Sequence, residues 1–341
     1  MKLMAVNYIR VLLPVYLIYA VSVSFAWNDT YYEQFIQFMQ TYKKTYDAKS
    51  PEFWHRFEIF KNNLKHSAEL NKAYQNETAV YGVNKFSDLT QEEFEKQYLQ
   101  GLKSSGLRGK GRPGVAFPSL KLLKEAVPQY VDWRNQNIIS PIKDQKSCGA
   151  CWAFSATETV ESMYAKTTGK PVPVLSVQEV IDCSENNGCQ GGDTCSALKW
   201  MTKYNKTIVH ETDYPLVDKT QACHLGNSTS PGVRVASSTC QHLPGNEEKM
   251  VQMLSMVGPL TVTVDASTWN NYIGGIIRFH CSNYNNHAVQ IVGYDLRGDV
   301  PFYIVRNSWG VDFGDNGYLY IKYGDNLCGL AERVSTVTVQ D

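Results

Sequence analysis

The run Gln145-Lys146-Ser147-Cys148-Gly149-Ala150-Cys151-Trp152-Ala153-Phe154 holds the densest chemistry in the chain. A bare Cys-x-x-Cys admits a redox pair, half a zinc site or a nucleophile. No second Cys-x-x-Cys, no His-x-His and no surrounding βαβ pattern accompanies it, which weighs against zinc and thiol exchange. A nucleophile needs its thiolate stabilised by a helix N-terminus and a nearby imidazolium. Cys151 is placed to open a helix, whose dipole favours the anion. Of the seven histidines only His287 has a suitable setting, at the start of the β-rich run Ala288–Tyr294. Asn307, after Val305-Arg306, can orient an imidazole through its amide oxygen. Gln145, six residues before Cys151, offers a side-chain amide to a developing oxyanion, with the Cys151 backbone N–H as second donor.

These groups need rigid carriers, and periodicity supplies them. Helices are expected over Cys151 to Tyr164 and Val177 to Cys183, and strands over Leu260–Val264, His287–Tyr294, Phe302–Arg306 and Tyr318–Lys322. The part after Val127 therefore reads as a helical half followed by a β half. Upstream, Phe35, Met39, Tyr42 and Tyr46 fall at helical spacing, as do Phe53, Phe57, Phe60 and Leu64. Pro51 after Ser50 marks a helix start, and Glu52 with Arg56 forms an i,i+4 pair. Lys103 to Lys124 carries six bases and no acid, with Gly101, Gly106, Gly109, Gly111 and Gly114 close by. That stretch reads as an exposed, protease-sensitive linker in which nothing packs.

The chain has 341 residues, 43% of them hydrophobic and 19% charged, about two domains' worth of packed globular protein. Disorder is excluded by this apolar content. No internal run reaches the ~20 apolar residues of a membrane span. Net charge is zero, so nothing pulls the whole chain toward nucleic acid or a membrane, but residues 27–126 carry +3 and 127–341 carry −5. This split suggests that the two segments touch. Lys2 and Arg10, the apolar stretch Val11 to Val23 and the small residues of Ser24-Phe25-Ala26 read as a secretory signal peptide. Sequons at Asn28, Asn76, Asn205 and Asn227 agree with that route. All nine cysteines lie at 148 or beyond, so in an oxidising lumen eight can pair and one remains.

Gln145 through Phe154, Asn286-His287-Ala288 and Asn307-Ser308-Trp309-Gly310 together resemble the papain-like cysteine proteases, with His287 and Asn307 following Cys151 by 136 and 156 residues. Before the linker, Glu52, Arg56, Phe60, Asn63 and Asn71 resemble the interspersed motif of cathepsin L-type propeptides, while Ser67 departs from it. Gly82-x-Asn84-x-Phe86-x-Asp88 matches the second propeptide motif. Asp265-Ala266-Ser267-Thr268-Trp269, Gly274-Gly275-Ile276-Ile277 and Cys281-Ser282 resemble one branch within the family.

The resemblance implies an α+β, papain-like two-domain fold: a helical left half, a β-barrel-like right half and a helical N-terminal propeptide. It divides the chain into a signal peptide (1–26), an inhibitory propeptide and linker (27–126) and a peptidase domain (127–341). It makes Cys151, His287, Asn307 and Gln145 catalytic, and implies disulfides Cys148–Cys189, Cys183–Cys223 and Cys281–Cys328. Cys195 and Cys240 are left unexplained, paired or free. Gly149, Gly191, Gly192, Asp193, Thr194, Thr263, Trp309 and Arg333 fall at substrate-binding positions. Asp193 and Arg333 make the second pocket polar: either they pair across it, leaving it small and neutral, or Arg333 attracts an acidic or polar residue, or Arg333 points to solvent. Phe313 stands where many relatives have a second Trp. Only five residues separate Cys183 from Cys189, too few for the loop that makes one branch carboxydipeptidases.

The expectation is thus a cysteine endopeptidase made as a zymogen, lysosomal or extracellular, monomeric, needing no metal or cofactor. Its partners would be protein or peptide substrates, its own propeptide and cystatin-type inhibitors. The rival readings are a catalytically silent binding or inhibitory relative and a lumenal thiol oxidoreductase.

Overall fold

The computed structural model describes residues 29–73, 79–102, 127–224, 231–279 and 281–340. The signal-peptide reading, the 103–124 linker and the sequons at Asn28, Asn76 and Asn227 lie outside them. Asn205 is exposed in the turn after a helix, a loop position.

The N-terminal segment is built from α1 (Asp29–Thr41), α2 (Pro51–Ala73), the short strand β1 (Val80–Tyr81) and α3 (Gln91–Tyr98). Phe35, Phe38, Phe53, Phe57 and Phe60 form its own buried aromatic core between α1 and α2. The α2 helix starts at Pro51, with the Ser50 hydroxyl accepting the Phe53 N–H at 3.2 Å, and Arg56 reaches Glu52 at 2.7 Å. Tyr42 and Tyr46 lie beyond the end of α1, because the chain turns through Lys43 at φ 53°. Their apolar spacing continues the helical period, but both serve as ring contacts from a loop. Ser67 is buried with no partner for its hydroxyl.

The second part runs β2 (Tyr130–Asp132), α4 (Cys151–Thr168), α5 (Val177–Cys183), α6 (Thr194–Lys203), β3 (Thr207–Val209), β4 (Gly232–Gln241), α7 (Glu247–Met256), β5 (Leu260–Val264), β6 (Tyr272–Gly274), β7 (Ile276–Ile277), β8 (His287–Asp295), β9 (Phe302–Arg306), β10 (Tyr318–Lys322) and β11 (Val334–Gln340). One core gathers Trp152, Phe154, Val160, Leu198 and Met201 around α4 to α6. A second gathers Leu260, Val262, Ile291, Tyr294, Val305 and Leu319 of the strands. Both the helical and the strand-rich half are present, yet their order along the chain is less simple than expected. β3 and β4 follow α6, and α7 precedes β5. β4 escapes periodicity because Val233 and Val235 alone alternate cleanly before Ser237, Ser238 and Thr239. The sheet follows the order β3-β4-β11-β5-β8-β9-β10-β7, with β2 added on β8, an open path among the described residues rather than a closed barrel.

α4 lies between the two cores and is buried along nearly its whole length, polar residues included. A helix covered on all sides holds its first residue rigidly. β5 and β8 pair antiparallel with Val264 opposite His287, and β8 pairs in turn with β9, whose end delivers Asn307. The site residues thus hang from one buried helix and two central strands.

Candidate active site

Cys151 opens α4, as its spacing predicts, and no side chain caps the helix there. It is the free cysteine, fully buried, while the other eight pair. The Cys148–Cys189, Cys183–Cys223 and Cys281–Cys328 bridges form, and Cys195–Cys240 makes a fourth across 5.9 Å between Cα atoms. With Cys148 bridged, no dithiol remains for exchange with Cys151. Backbone N–H groups of Ala288, Trp152 and Cys151 itself point at the Cys151 sulfur. Ala288 follows His287, so the sulfur and the head of β8 are brought together across the two halves.

The His287 ring lies between partners that set its orientation. Its Nε2 meets Asn307 Oδ1 at 2.8 Å, and the same oxygen accepts the Ser308 N–H at 2.8 Å. An amide oxygen only accepts, so Nε2 carries the proton and Nδ1 keeps its lone pair. Nδ1 is buried with no hydrogen-bond partner. Trp309 lies over the ring at 4.7 Å between centroids, and Trp269 meets its edge at 6.2 Å. These indoles keep water from the His287–Asn307 bond.

Gln145 is buried; its Oε1 accepts from Ser308 Oγ at 2.7 Å and its Nε2 donates to Cys148 O at 3.2 Å. An amide nitrogen has two protons, so one donor remains beyond the Cys148 contact. Ser308 also receives the Gln145 backbone N–H at 2.8 Å, tying the 145 segment to the residue after Asn307.

The groove beside the sulfur is occupied by the N-terminal segment. The Gly192 N–H donates to Gly101 O at 2.9 Å, and Leu102 bridges Gly192 in parallel. A Cβ on Gly191, at φ 104°, would lie 2.8 Å from Gln100 O, and one on Gly149 would lie 2.6 Å from Cys189 O. These glycines let main chain approach main chain. Gly101, which stands just ahead of the expected linker, is itself buried. Its place over the sulfur, between Gly149 and Gly191, is the reason. β1 pairs antiparallel with β6, and Asn84 Nδ2 donates to Tyr272 O at 3.1 Å. Phe86, Phe94 and Tyr98 present edges to Trp309 at 5.4, 5.4 and 6.0 Å, and Phe313 joins at 4.8 Å. The aromatic wedge was not foreseen; Phe86 and the Phe94/Tyr98 spacing were its only signals. Lys85, at 3.1 Å from both Asp144 and Asp312, carries the charge complementarity between the two parts among the described residues.

The sequence led us to expect a thiol held below its usual range. In this covered state burial instead pushes Cys151 up to about 12, against the three backbone N–H groups, and pushes His287 down to about 4. Burial withdraws water from both groups and favours their neutral forms, and at the sulfur Gly101 of the covering segment contributes to it.

Asp193 and Arg333 pair at 2.7 Å across the groove wall, beside Gly192. Asp193 also caps α6, accepting the Ser196 N–H at 2.7 Å. Thr263 Oγ1 accepts from Asn285 Nδ2 at 2.5 Å, and the Thr194 hydroxyl is buried without a partner. Of the arrangements foreseen for these two side chains, the paired one is adopted.

This geometry has known counterparts. The family described as papain family cysteine protease matches residues 127–338, and the cathepsin propeptide inhibitor domain matches 35–94. The chain belongs to the papain family of cysteine proteases. It is 40% identical to cathepsin O of Homo sapiens over 284 residues, 82% of this chain and 87% of that protein. The branch suggested by the 265–282 motifs is the one represented by this relative. Among solved structures it resembles a recombinant stem bromelain precursor, with TM-score 0.82 and 31% identity over 92% of this chain and 100% of that one. It also resembles digestive procathepsin L 3 of Tenebrio molitor larval midgut, with TM-score 0.78 and 30% identity over 91% and 100%. Among the described residues no helix is long and apolar enough to cross a membrane.

Proposed function

We propose that this protease is a secretory-pathway zymogen, lysosomal or extracellular, whose shortened form is a monomeric endopeptidase. Residues 1–26 act as signal peptide, 27–126 as inhibitory propeptide and linker, and 127–341 as peptidase. The observation that carries this reading is the unbridged Cys151 sulfur receiving the Ala288 N–H beside a His287 ring oriented by Asn307. Once the covering segment leaves, water returns and the imidazole Nδ1 takes the thiol proton. The Cys151 thiolate attacks the peptide carbonyl, forming the C–S bond. The oxyanion rests on the Gln145 side-chain amide and the Cys151 N–H. His287 then gives its proton to the leaving amine as the C–N bond breaks. A water, deprotonated by the same nitrogen, hydrolyses the thioester and restores the thiol.

Gly149, Gly191 and Gly192 hold the substrate main chain, and Asp193, Thr194, Thr263 and Arg333 line the pocket for its second residue. The short Cys183–Cys189 segment leaves the cleft open at its ends, which supports endopeptidase action and access by cystatin-type inhibitors. The rival of a catalytically silent binding protein lacks support, because each catalytic position is filled.

Labelling with an epoxide warhead, followed by peptide mapping, tests the reading. The shortened protein is expected to be modified at Cys151 and the full chain to resist. Cys151→Ala is expected to abolish peptide cleavage, whereas Cys148→Ala should lower stability by about 2–4 kcal/mol through loss of its bridge. Cleavage surviving in Cys151→Ala sinks the assignment.

A further inference from the structure

Arg306 is fully buried, and its guanidinium touches every segment that delivers a proposed catalytic residue. Its NH2 group donates to Pro141 O at 2.7 Å and Ser140 Oγ at 3.0 Å, four and five residues ahead of Gln145. The same nitrogen lies 3.4 Å from Glu158 Oε1, seven residues beyond Cys151 on α4. Its NH1 group donates to Gln290 Oε1 at 3.3 Å, three residues beyond His287 on β8. Gln290 in turn reaches Ser162 Oγ of α4 at 3.1 Å. The backbone of Arg306 leads directly into Asn307 at the end of β9. We propose that Arg306 is a positioning residue: one planar guanidinium that fixes the helix of Cys151, the strands of His287 and Asn307, and the segment of Gln145 in a common register.

Arginine suits this work because its planar fork presents several donors in fixed directions. Burying a cation is costly unless charge and hydrogen bonds surround it. Here Glu158 faces it directly, with Glu161, Lys143 and Tyr318 completing the charged and titratable surroundings. Glu161 is itself held by Lys143 at 2.6 Å and by Ser140 Oγ, so the cluster is anchored on the helical side as well. The structure thus keeps a polar junction between two apolar cores, in which Arg306 Nε has no hydrogen-bond partner.

The proposal rests on the catalytic reading above, and its test separates the two. Arg306→Met and Arg306→Lys are prepared as full-length protein and activated alongside the wild type. Arg306→Met is expected to lower kcat by roughly 10–100-fold with KM within about threefold, because sub-ångström misplacement of reacting groups costs rate more than binding. The acid limb of its kcat/KM profile should move and the rate of epoxide labelling at Cys151 should fall, with partial rescue in Arg306→Lys. Should Arg306→Met not fold, Ser140→Ala and Gln290→Leu each remove one arm. A kcat loss at unchanged Tm in either supports the proposal. Wild-type kcat, KM and pH profile in the folded variants, with only Tm lowered, overturns it. An inactive wild type would instead sink the catalytic reading itself.

Discussion

Gly101 rests on Cys151 so closely that a Cβ built on the glycine would lie 2.5 Å from the sulfur. The same glycine's Cα lies 3.5 Å from where a Cβ on Gly149 would stand. Its carbonyl is meanwhile held by the Gly192 N–H, so it has little room to slide. The plug is therefore main chain, fitted to a site whose own walls are glycine.

Gly101→Ala is expected to weaken inhibition. Overpacking at a fixed contact costs about 1–3 kcal/mol, which corresponds to roughly 5–150-fold in affinity. The measurement is inhibition of the shortened peptidase by added 27–126 segment, wild type against variant. Equal inhibition constants would show that the plug tolerates a side chain there.

Acid should open the zymogen through the propeptide's internal fold more than through its interface. Across the interface only Lys85 meets aspartates among the described ion pairs, whereas Glu93 binds Arg56 at 2.6 Å between α3 and α2. The Arg56 guanidinium, aided by the Thr90 N–H, holds the Glu93 carboxyl below its usual range. A depressed folded-state value contributes stability that is present above the unfolded value and lost as pH falls through the folded one. The full chain is thus expected to be nearly inactive at neutral pH and to lose this clamp only as pH falls below the ordinary glutamate value of 4.5, with Glu93→Gln activating at less acid pH. Full activity without shortening contradicts the zymogen reading, and an unmoved midpoint in Glu93→Gln removes this clamp from it.

The Arg333–Asp193 pair predicts a small, neutral pocket for the second substrate residue. Asp193→Asn leaves a capping oxygen for α6 but frees the guanidinium, so cleavage of peptides with Glu at that position should rise about tenfold. A peptide library reads this out. Strong wild-type preference for Leu or Phe would show that the pair does not shape the pocket.

The peptidase part should lose stability as pH rises. Burial pushes Glu158, among Arg306, Lys143 and Glu161, up to about 7. It does the same to Glu179, which accepts the Val209 N–H at 2.8 Å and faces Lys206. A raised folded-state value means the folded protein holds its proton more tightly than the unfolded chain, so this contribution fades between roughly pH 4.5 and 7. Tm of the shortened protein should be higher at pH 5 than at pH 7.5, and the difference should shrink in Glu158→Gln. The opposite slope would mean other groups dominate.

Much of the site was legible in residue types and spacing. The Cys151 helix start and the strand ends at His287 and Asn307 are local features, set by periodicity and by turn residues within a few positions. α5, β5, β9 and β10 match their expected bounds for the same reason. β4 and the loop position of Tyr46 were not legible, since a half-exposed strand and a ring packed from a turn leave no clean period.

The chain alone determined which groups could react and the order in which they arrive. Only tertiary packing decided their state: Cys195 with Cys240, Arg333 with Asp193, and Gly101 over the sulfur. Those pairings join residues far apart in sequence, and no local pattern records the distance between them. The neutral Cys151 and His287 follow from the same cause, because exclusion of water is a property of everything packed around a group and not of its neighbours along the chain.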